Sequence, residues 1–349
     1  MQVALEHLSK RFGAVTAVDD VSLTVGEGEF LALLGPSGCG KTTTLFLVAG
    51  LYRPSSGRIL FGDRVVNDEH PQERGIGLVF QSYALYPHLT VFENIAFPLR
   101  VKRIRAGEVA RRVCEVAEMV GITECLPRRP GQLSGGQQQR VALCRALVKA
   151  PAVLLLDEPL SNLDARLREV TRAEIKRLQK DLGITTVLVS HDQAEALGIA
   201  DRVGVMQSGR LVALMTPRDL YERPPSRFVA DFIGTPPINF LPVTVADGCL
   251  AIGDGVPRPL PRPLRAGRYD LGVRPEHLTV AADGDLVGEV ILLESLGRET
   301  LIHVKFAKTR LRVLAGPDAP VTLGQPIRLR LAWEHILLFE AESGQAALP

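Results

Sequence analysis

The hydrophobic positions of this chain change period along its length, and the changes divide it into parts. Val21, Leu23 and Val25 alternate with polar residues, the spacing of a half-buried strand. Gly26, Glu27, Gly28 and Glu29 turn the chain, and residues 30–34 follow as a continuous apolar strand. After Lys41 the run TTTLFLVAGL predicts a helix closed by Gly50. From about residue 106 to 149 the character shifts: Val109, Val113, Val116, Ala117 and Val120 recur at helical spacing, and a second helix follows. Strand runs return at 153–156 and 185–190, separated by a helix over about 165–182. This alternation predicts an α/β fold, a mostly parallel sheet covered on both faces, with the middle region as a helical insertion. Gln207, Ser208 and Gly209 predict a short hairpin, and Thr216 before Pro217 predicts a helix start. Beyond Gly234, Thr235-Pro236-Pro237 and a proline-rich run at 256–263 punctuate short alternating segments at 271–273, 286–293, 301–306 and 327–331. These predict a small all-β domain of barrel type.

Composition narrows the setting. The 349 residues have room for about two domains with separate cores. A formal charge of +2, without a basic tail or block, gives no electrostatic case for nucleic acid or an anionic membrane. The longest apolar runs fall well short of the ~18 residues a spanning helix needs, so any link to a membrane has to come through a partner. The start MQVALEHLSKRFG lacks the layout of a secretion signal and predicts a cytosolic protein. Cys39, Cys114, Cys125, Cys144 and Cys249 form no C-x-x-C pair and read as reduced, structural residues.

The candidate chemistry sits at the strand ends. Gly35-Pro36-Ser37-Gly38-Cys39-Gly40-Lys41-Thr42 joins a predicted strand to a predicted helix and fits the Walker A pattern. Its glycines let backbone N–H groups point inward around phosphates at the positive end of the helix. Residues 35–43, Thr43 included, are therefore expected to bind ATP, with Lys41 on the β- and γ-phosphates and Thr42 on Mg²⁺. Cys39 reads as an apolar filler of the loop. Asp157 ends an apolar strand and can reach the metal directly or through water, while Glu158 follows it and faces the γ-phosphate.

Between these two motifs lies LSGGQQQR, from Leu133 to Arg140, and the ordered set resembles the ATP-binding subunit of an ABC transporter over Val3 to about Phe240. The resemblance implies a P-loop NTPase of ABC type in which Glu158 polarises the attacking water. Gln81, in Val79-Phe80-Gln81-Ser82, matches the Q-loop glutamine that touches Mg²⁺ and that water. His191, after Leu188-Val189-Ser190, matches the switch histidine that bonds the γ-phosphate. Asp164, in Ser161-Asn162-Leu163-Asp164, matches the D-loop carboxylate at a dimer seam. Phe12 falls where the family stacks an aromatic on adenine, although it could pack in the sheet instead. Ser134, Gly135, Gly136 and Gln137 are implied to act in trans, completing the ATP site of a second copy in a homodimer.

Leu271-Gly272-Val273-Arg274-Pro275-Glu276 is similar to the "GIRPE" motif of TOBE domains. The expected organisation is an ABC nucleotide-binding domain over 1–235, with a helical subdomain at about 87–150, then a TOBE/OB-like regulatory domain over 236–349. QSYALYP at 81–87 and FVADFIGTPPINFLP at 228–242 resemble the carbohydrate-importer branch related to the maltose ATPase, with Ile238 where a Met is common. That branch implies an ATPase held at the cytoplasmic face of the inner membrane by two transmembrane permease subunits, served by an extracytoplasmic solute-binding protein. Polyamine, ferric-iron and sulfate importer ATPases share these motifs and remain the alternative. A soluble ABC factor acting on nucleic acid fits less, since a second cassette and a long coiled coil are missing. Tyr83, Leu85 and Tyr86 are expected either to anchor a short permease helix or to pack inside the helical subdomain.

Overall fold

The computed structural model describes residues 1–252, 257–260 and 263–348, so Val256, Pro261 and Arg262 of the proline-rich run lie outside the described residues, as does Pro349. The chain divides into two compact units, Met1–Pro217 and Arg218–Pro349. In chain order the first contains β1 (Val3–Phe12), β2 (Val15–Val25), β3 (Phe30–Leu34), α1 (Lys41–Ala49), β4 (Ser56–Phe61), β5 (Arg64–Val65) and β6 (Ile76–Val79). Then come α2 (Val91–Val101), α3 (Ala106–Met119), α4 (Gly135–Leu147), β7 (Val153–Asp157), α5 (Ala165–Leu182), β8 (Thr185–Ser190), α6 (Gln193–Ile199), β9 (Arg202–Gln207) and β10 (Arg210–Met215).

Two sheets form, an antiparallel one in the order β2-β1-β4-β5 and a larger one in the order β10-β9-β3-β8-β7-β6. Every residue of β3, β7 and β8 is buried, which is why these strands read as unbroken runs rather than alternating ones. They pair in parallel, with Leu34 opposite Ser190, Asp157 opposite Val189 and Val79 opposite Leu156. The carboxyl ends of four strands therefore share one edge, where ligands bind in open parallel sheets. That register places the glycine loop, Gln81, the Asp157–Glu158 pair and His191 beside one another.

The helices follow the apolar spacing. α1 ends at Gly50, which takes the left-handed φ of 79° and returns its N–H to Leu47 and Phe46. α3 buries Val109, Val113, Val116 and Ala117, and each of the three valines so removed from water contributes about 1.5–3 kcal/mol. α5 spans the expected residues, capped by the Asp164 carboxylate and closed by Gly183 in the left-handed region. The helical region also holds α2, which opens on a reciprocal capping box between Thr90 and Glu93 and carries Pro98 within it. Tyr83 is only 4% exposed, and the adjoining Leu85 and Tyr86 are half-buried. Of the three candidate anchors, Tyr83 belongs to the interior, where its hydrophobic ring gains more from packing than a loop position suggests.

The second unit has two antiparallel sheets, of six and five strands among the described residues, the small all-β domain expected there. Its strands alternate as expected: along Pro326–Leu331, Ile327, Leu329 and Leu331 are buried while Pro326, Arg328 and Arg330 are exposed. The buried Arg274 donates to the carbonyls of Ala230 (3.1 Å), Tyr221 (3.0 Å) and Ile233, with its guanidinium 4.1 Å from the Tyr221 ring centre. That fork ties the short helices before the sheets to the strand Gly267–Val273. All five cysteines are free, and burial pushes the Cys144 thiol far up. No helix among the described residues is long and apolar enough to cross a membrane.

Candidate nucleotide site

The loop between β3 and α1 has a backbone that only certain residues permit. Gly40 caps α1 at φ 102°, and a Cβ there would stand 2.3 Å from the carbonyl oxygen of Ala17. Pro36, Ser37 and Gly38 are exposed, whereas Gly35 and Cys39 are buried, Cys39 filling the underside of the loop. Thr43 follows Thr42 in the first turn of α1 and is half-buried. The Lys41 ammonium donates to the carbonyls of Gly35 at 2.7 Å and Pro36 at 3.0 Å. Its charge is thus held within the loop, where it adds to the positive end of α1. Exposed loop amides, a cation and a helix start converge there, as binding of a polyphosphate requires.

The two carboxylates face different neighbours. Asp157 is 6% exposed, and its Oδ1 accepts from the Thr42 hydroxyl at 3.2 Å. Burial raises the Asp157 carboxyl above its ordinary range, opposed by the Thr42 hydrogen bond, with the Glu158 charge raising it further and Lys41 opposing. Mg²⁺ prefers hard oxygens and keeps ligands for phosphates and water. The Thr42 hydroxyl and Asp157 carboxylate are such a pair, and a dication would offset the desolvation at Asp157, so these residues fit the ion.

Glu158 leaves the strand at φ 44°, unusual for a residue with a side chain. Its N–H bonds the Val189 carbonyl at 2.9 Å, and its carbonyl accepts from Ser161. Glu158 Oε2 accepts from Gln81 Nε2 at 2.9 Å and lies 3.1 Å from His191 Nδ1. Asn162 Nδ2 donates to the Gln81 carbonyl at 2.8 Å, tying the Gln81 loop to the segment after Glu158. Gln81, Glu158 and His191 thus form a connected polar cluster, open to solvent at Gln81 and His191, beside the Lys41 loop.

The remaining candidates lie elsewhere. Phe12 is 44% exposed, packed edge-to-face on Tyr52 at 5.2 Å, with Lys10 Nζ 4.9 Å from its ring centre. The ring is therefore partly exposed beside Tyr52 and Lys10 rather than buried in the sheet. Ser134 caps α4 through a reciprocal box with Gln137. A Cβ on Gly136 would meet Leu167 at 2.7 Å, so the glycine lets α4 approach α5 closely. Asp164 bonds the Leu167 N–H at 2.9 Å. Among the described residues no hydrogen bond or ion pair joins Ser134, Gly135, Gly136, Gln137 or Asp164 to the Lys41 loop of the same chain.

Sequence reasoning passed over three contributors: Asn162 as a link to Gln81, the Arg168–Asp192 ion pair at 3.0 Å, and the buried Glu195 behind His191. Asp192 and Glu195 do stand three apart at a helix start, a spacing that marks a cap but not the burial of its glutamate.

Known proteins resemble this chain in both of its parts. The family profile for ABC transporters matches residues 18–161 and that for the TOBE domain matches 271–339. The trehalose/maltose import ATP-binding protein MalK of Thermococcus litoralis is 45% identical, covering 99% of each chain. The sulfoquinovosyl glycerol transport ATP-binding protein SmoE of Agrobacterium fabrum is 44% identical over 97% of each. A solved dimeric bacterial ABC transporter cassette is 33% identical with a TM-score of 0.57, covering 62% of this chain and 99% of its own.

Proposed function

We propose, on the premise that this chain belongs to the ATP-binding subunits of ABC transporters that carry a TOBE domain, that it hydrolyses ATP as one half of a homodimer to drive solute import through membrane permeases. The observation that carries this reading is a division within the chain. The parallel strand ends bring Lys41, Thr42, Gln81, Asp157, Glu158 and His191 together, while Ser134, Gly135, Gly136 and Gln137 open a different helix beside Asp164 and make no bond to them. A second copy facing the opposite way supplies the missing helix start, so each ATP is held by two chains. The dimeric form of the solved cassette supports this arrangement.

In this scheme the loop amides, with residues 35–43, and the Lys41 ammonium hold the β- and γ-phosphates, and Phe12 stacks on adenine. Thr42, Asp157 and Gln81 would hold Mg²⁺, which would supply charge neutralisation for the phosphates. Glu158 accepts the proton of a water aligned by Gln81, and His191 bonds the γ-phosphate through its imidazole. The bond from Gln81 to Glu158 links the nucleotide to the loop that follows Gln81, which gives hydrolysis a route to a partner.

For the permease we assign a groove of about 520 Å³ beside that loop, lined by Leu51, Phe80, Tyr86, Phe97, Arg145 and Lys149 among others. Leu51 and Phe97 are 44% and 39% exposed there, an apolar surface that a short cytoplasmic helix would cover. The transported solute is a sugar or sugar derivative, a reading supported by relatives named for trehalose/maltose import and sulfoquinovosyl glycerol transport, while another is named for import of sn-glycerol-3-phosphate, a phosphorylated polyol. The subunit then works peripherally at the cytoplasmic face of the membrane, with an extracytoplasmic binding protein choosing the solute. Phe97→Glu tests the docking. The isolated variant should keep its melting temperature and basal ATPase but lose co-purification with the permeases and sugar uptake in cells. A variant that melts early and loses ATPase as well would place Phe97 in the core and reject the groove.

A further inference from the structure

A buried network beneath His191 takes no part in the hydrolysis scheme. His191 is flanked by Ser190, the last residue of β8, and by Asp192, the N-cap of α6. The Ser190 hydroxyl oxygen accepts from the Asp192 N–H at 2.9 Å and shares a short hydrogen bond with Glu195 Oε2. Asp192 Oδ1 accepts from the Glu195 N–H at 3.1 Å, and Asp192 Oδ2 pairs with Arg168 of α5 at 3.0 Å. Glu195 is only 4% exposed, and its Oε1 has no partner in the protein. A glutamate in the first turn of a helix ordinarily turns to water, where it costs nothing to ionise. Here it is turned inward onto the residues that carry the histidine.

We propose that Glu195 is a positioning residue for His191: by bonding Ser190 with its carboxyl and Asp192 with its backbone N–H, it fixes both neighbours of the imidazole and so sets the approach of His191 to Glu158 and the γ-phosphate. The proposal rests on the role given to His191 above. Burial pushes the Glu195 carboxyl up to about 7, with the Ser190 bond opposing, the Asp192 charge adding, and Arg168 and His191 opposing. α5 also turns Arg172 and Lys176 toward α6, onto the carbonyls of Ala194 and Gly198, while β3 offers only apolar side chains. When neutral, Glu195 can donate to the Ser190 oxygen and leave that hydroxyl free for the Asp192 carbonyl at 3.4 Å. When ionised, it must accept from Ser190 and buries a charge with one oxygen unpaired. The link is firmest in the neutral form. Because the folded-state value of about 7 lies above the ordinary 4.5, ionisation costs the folded protein stability as pH rises from about 4.5 to about 7. Glu195→Gln cannot ionise and should gain stability on the parent across that window.

Steady-state ATPase kinetics on the full chain test this, with H191A as the reference for the site. Glu195→Ala should lower kcat about tenfold or more at nearly unchanged KM for ATP, the cost of a small displacement of a catalytic group. Glu195→Gln should restore at least about half the parental kcat, with the parent-to-variant ratio falling from pH 6 to 8 as the parent ionises. Ser190→Ala, which breaks the same link from the other side, should lower kcat in the same direction and decides the matter if E195A does not fold. Parental kcat in E195A or S190A alongside an inactive H191A would overturn the positioning role and leave the site reading intact. Equal losses in E195A and E195Q, with KM and melting temperature falling too, would show a merely structural role and also overturn it. A fully active H191A would remove the role of His191 itself, and that of Glu195 with it.

Discussion

Glu158→Gln should bind ATP as the parent does and hydrolyse it at least ~10²-fold more slowly, the usual cost of losing a general base. The amide matches the carboxyl in size and keeps an oxygen for the Gln81 Nε2 donor that lies 2.9 Å from Glu158 Oε2. It cannot take a proton from water. The φ of 44° at residue 158 is a backbone property and is unchanged, so the neighbouring Asp157–Thr42 bond should persist. Since closure requires ATP and opening requires hydrolysis, the variant should accumulate as a dimer in ATP and Mg²⁺, read by sedimentation velocity together with phosphate release. Turnover at the parental rate, or a monomer under those conditions, would remove Glu158 from the role of base.

Lys41→Ala should fail one step earlier. The ammonium donates to two loop carbonyls at 2.7 and 3.0 Å, and its charge is what the loop presents to a polyphosphate. A hydrogen bond to a charged group contributes about 1.5–3 kcal/mol, so the alanine variant should bind ATP roughly 10- to 150-fold more weakly. A titration with labelled ATP separates this from the E158Q defect, in which affinity holds and only turnover falls. A melting curve near the parental one shows that the loop still folds. Unchanged affinity together with unchanged turnover would count against the Walker A assignment.

The nucleotide site is legible in the sequence because each part of it is local. A glycine loop between an apolar strand and a helix, and two carboxylates after another apolar strand, keep their meaning without knowledge of the rest of the chain. Parallel pairing of β3, β7 and β8 then brings them to one edge, and the unbroken runs Phe30–Leu34 and Val153–Asp157 announce such strands. What stayed hidden depends on direction rather than spacing. Tyr83 lies in a loop whose aromatic content suggests a surface, yet its φ of 60° accompanies a ring turned inward. Glu195 shows the polar first turn of a helix, and only the packing of α6 decides that its carboxyl faces Ser190. Arg274 likewise looks like one more basic residue in the second unit until its guanidinium is seen to bond three carbonyls. The start of α2 is local by contrast, since Thr90 and Glu93 carry the capping-box spacing that marks a helix N-terminus.

That one ATP is shared between two chains is tested most directly by mixing two inactive variants. Ser134→Asp puts a carboxylate against the γ-phosphate of the partner's nucleotide, while aspartate remains a good cap for α4, whose first turn now depends on Ser134 accepting from the Gln137 N–H at 3.3 Å. Lys41→Ala disables the loop of its own chain. Each variant alone should be nearly inactive. In a mixed dimer the Lys41 of one chain and the Ser134 of the other form one intact site, so an equal mixture should recover roughly a quarter of the parental turnover if subunits exchange freely and sites act independently. A mixture no more active than the two variants measured apart would contradict a shared site.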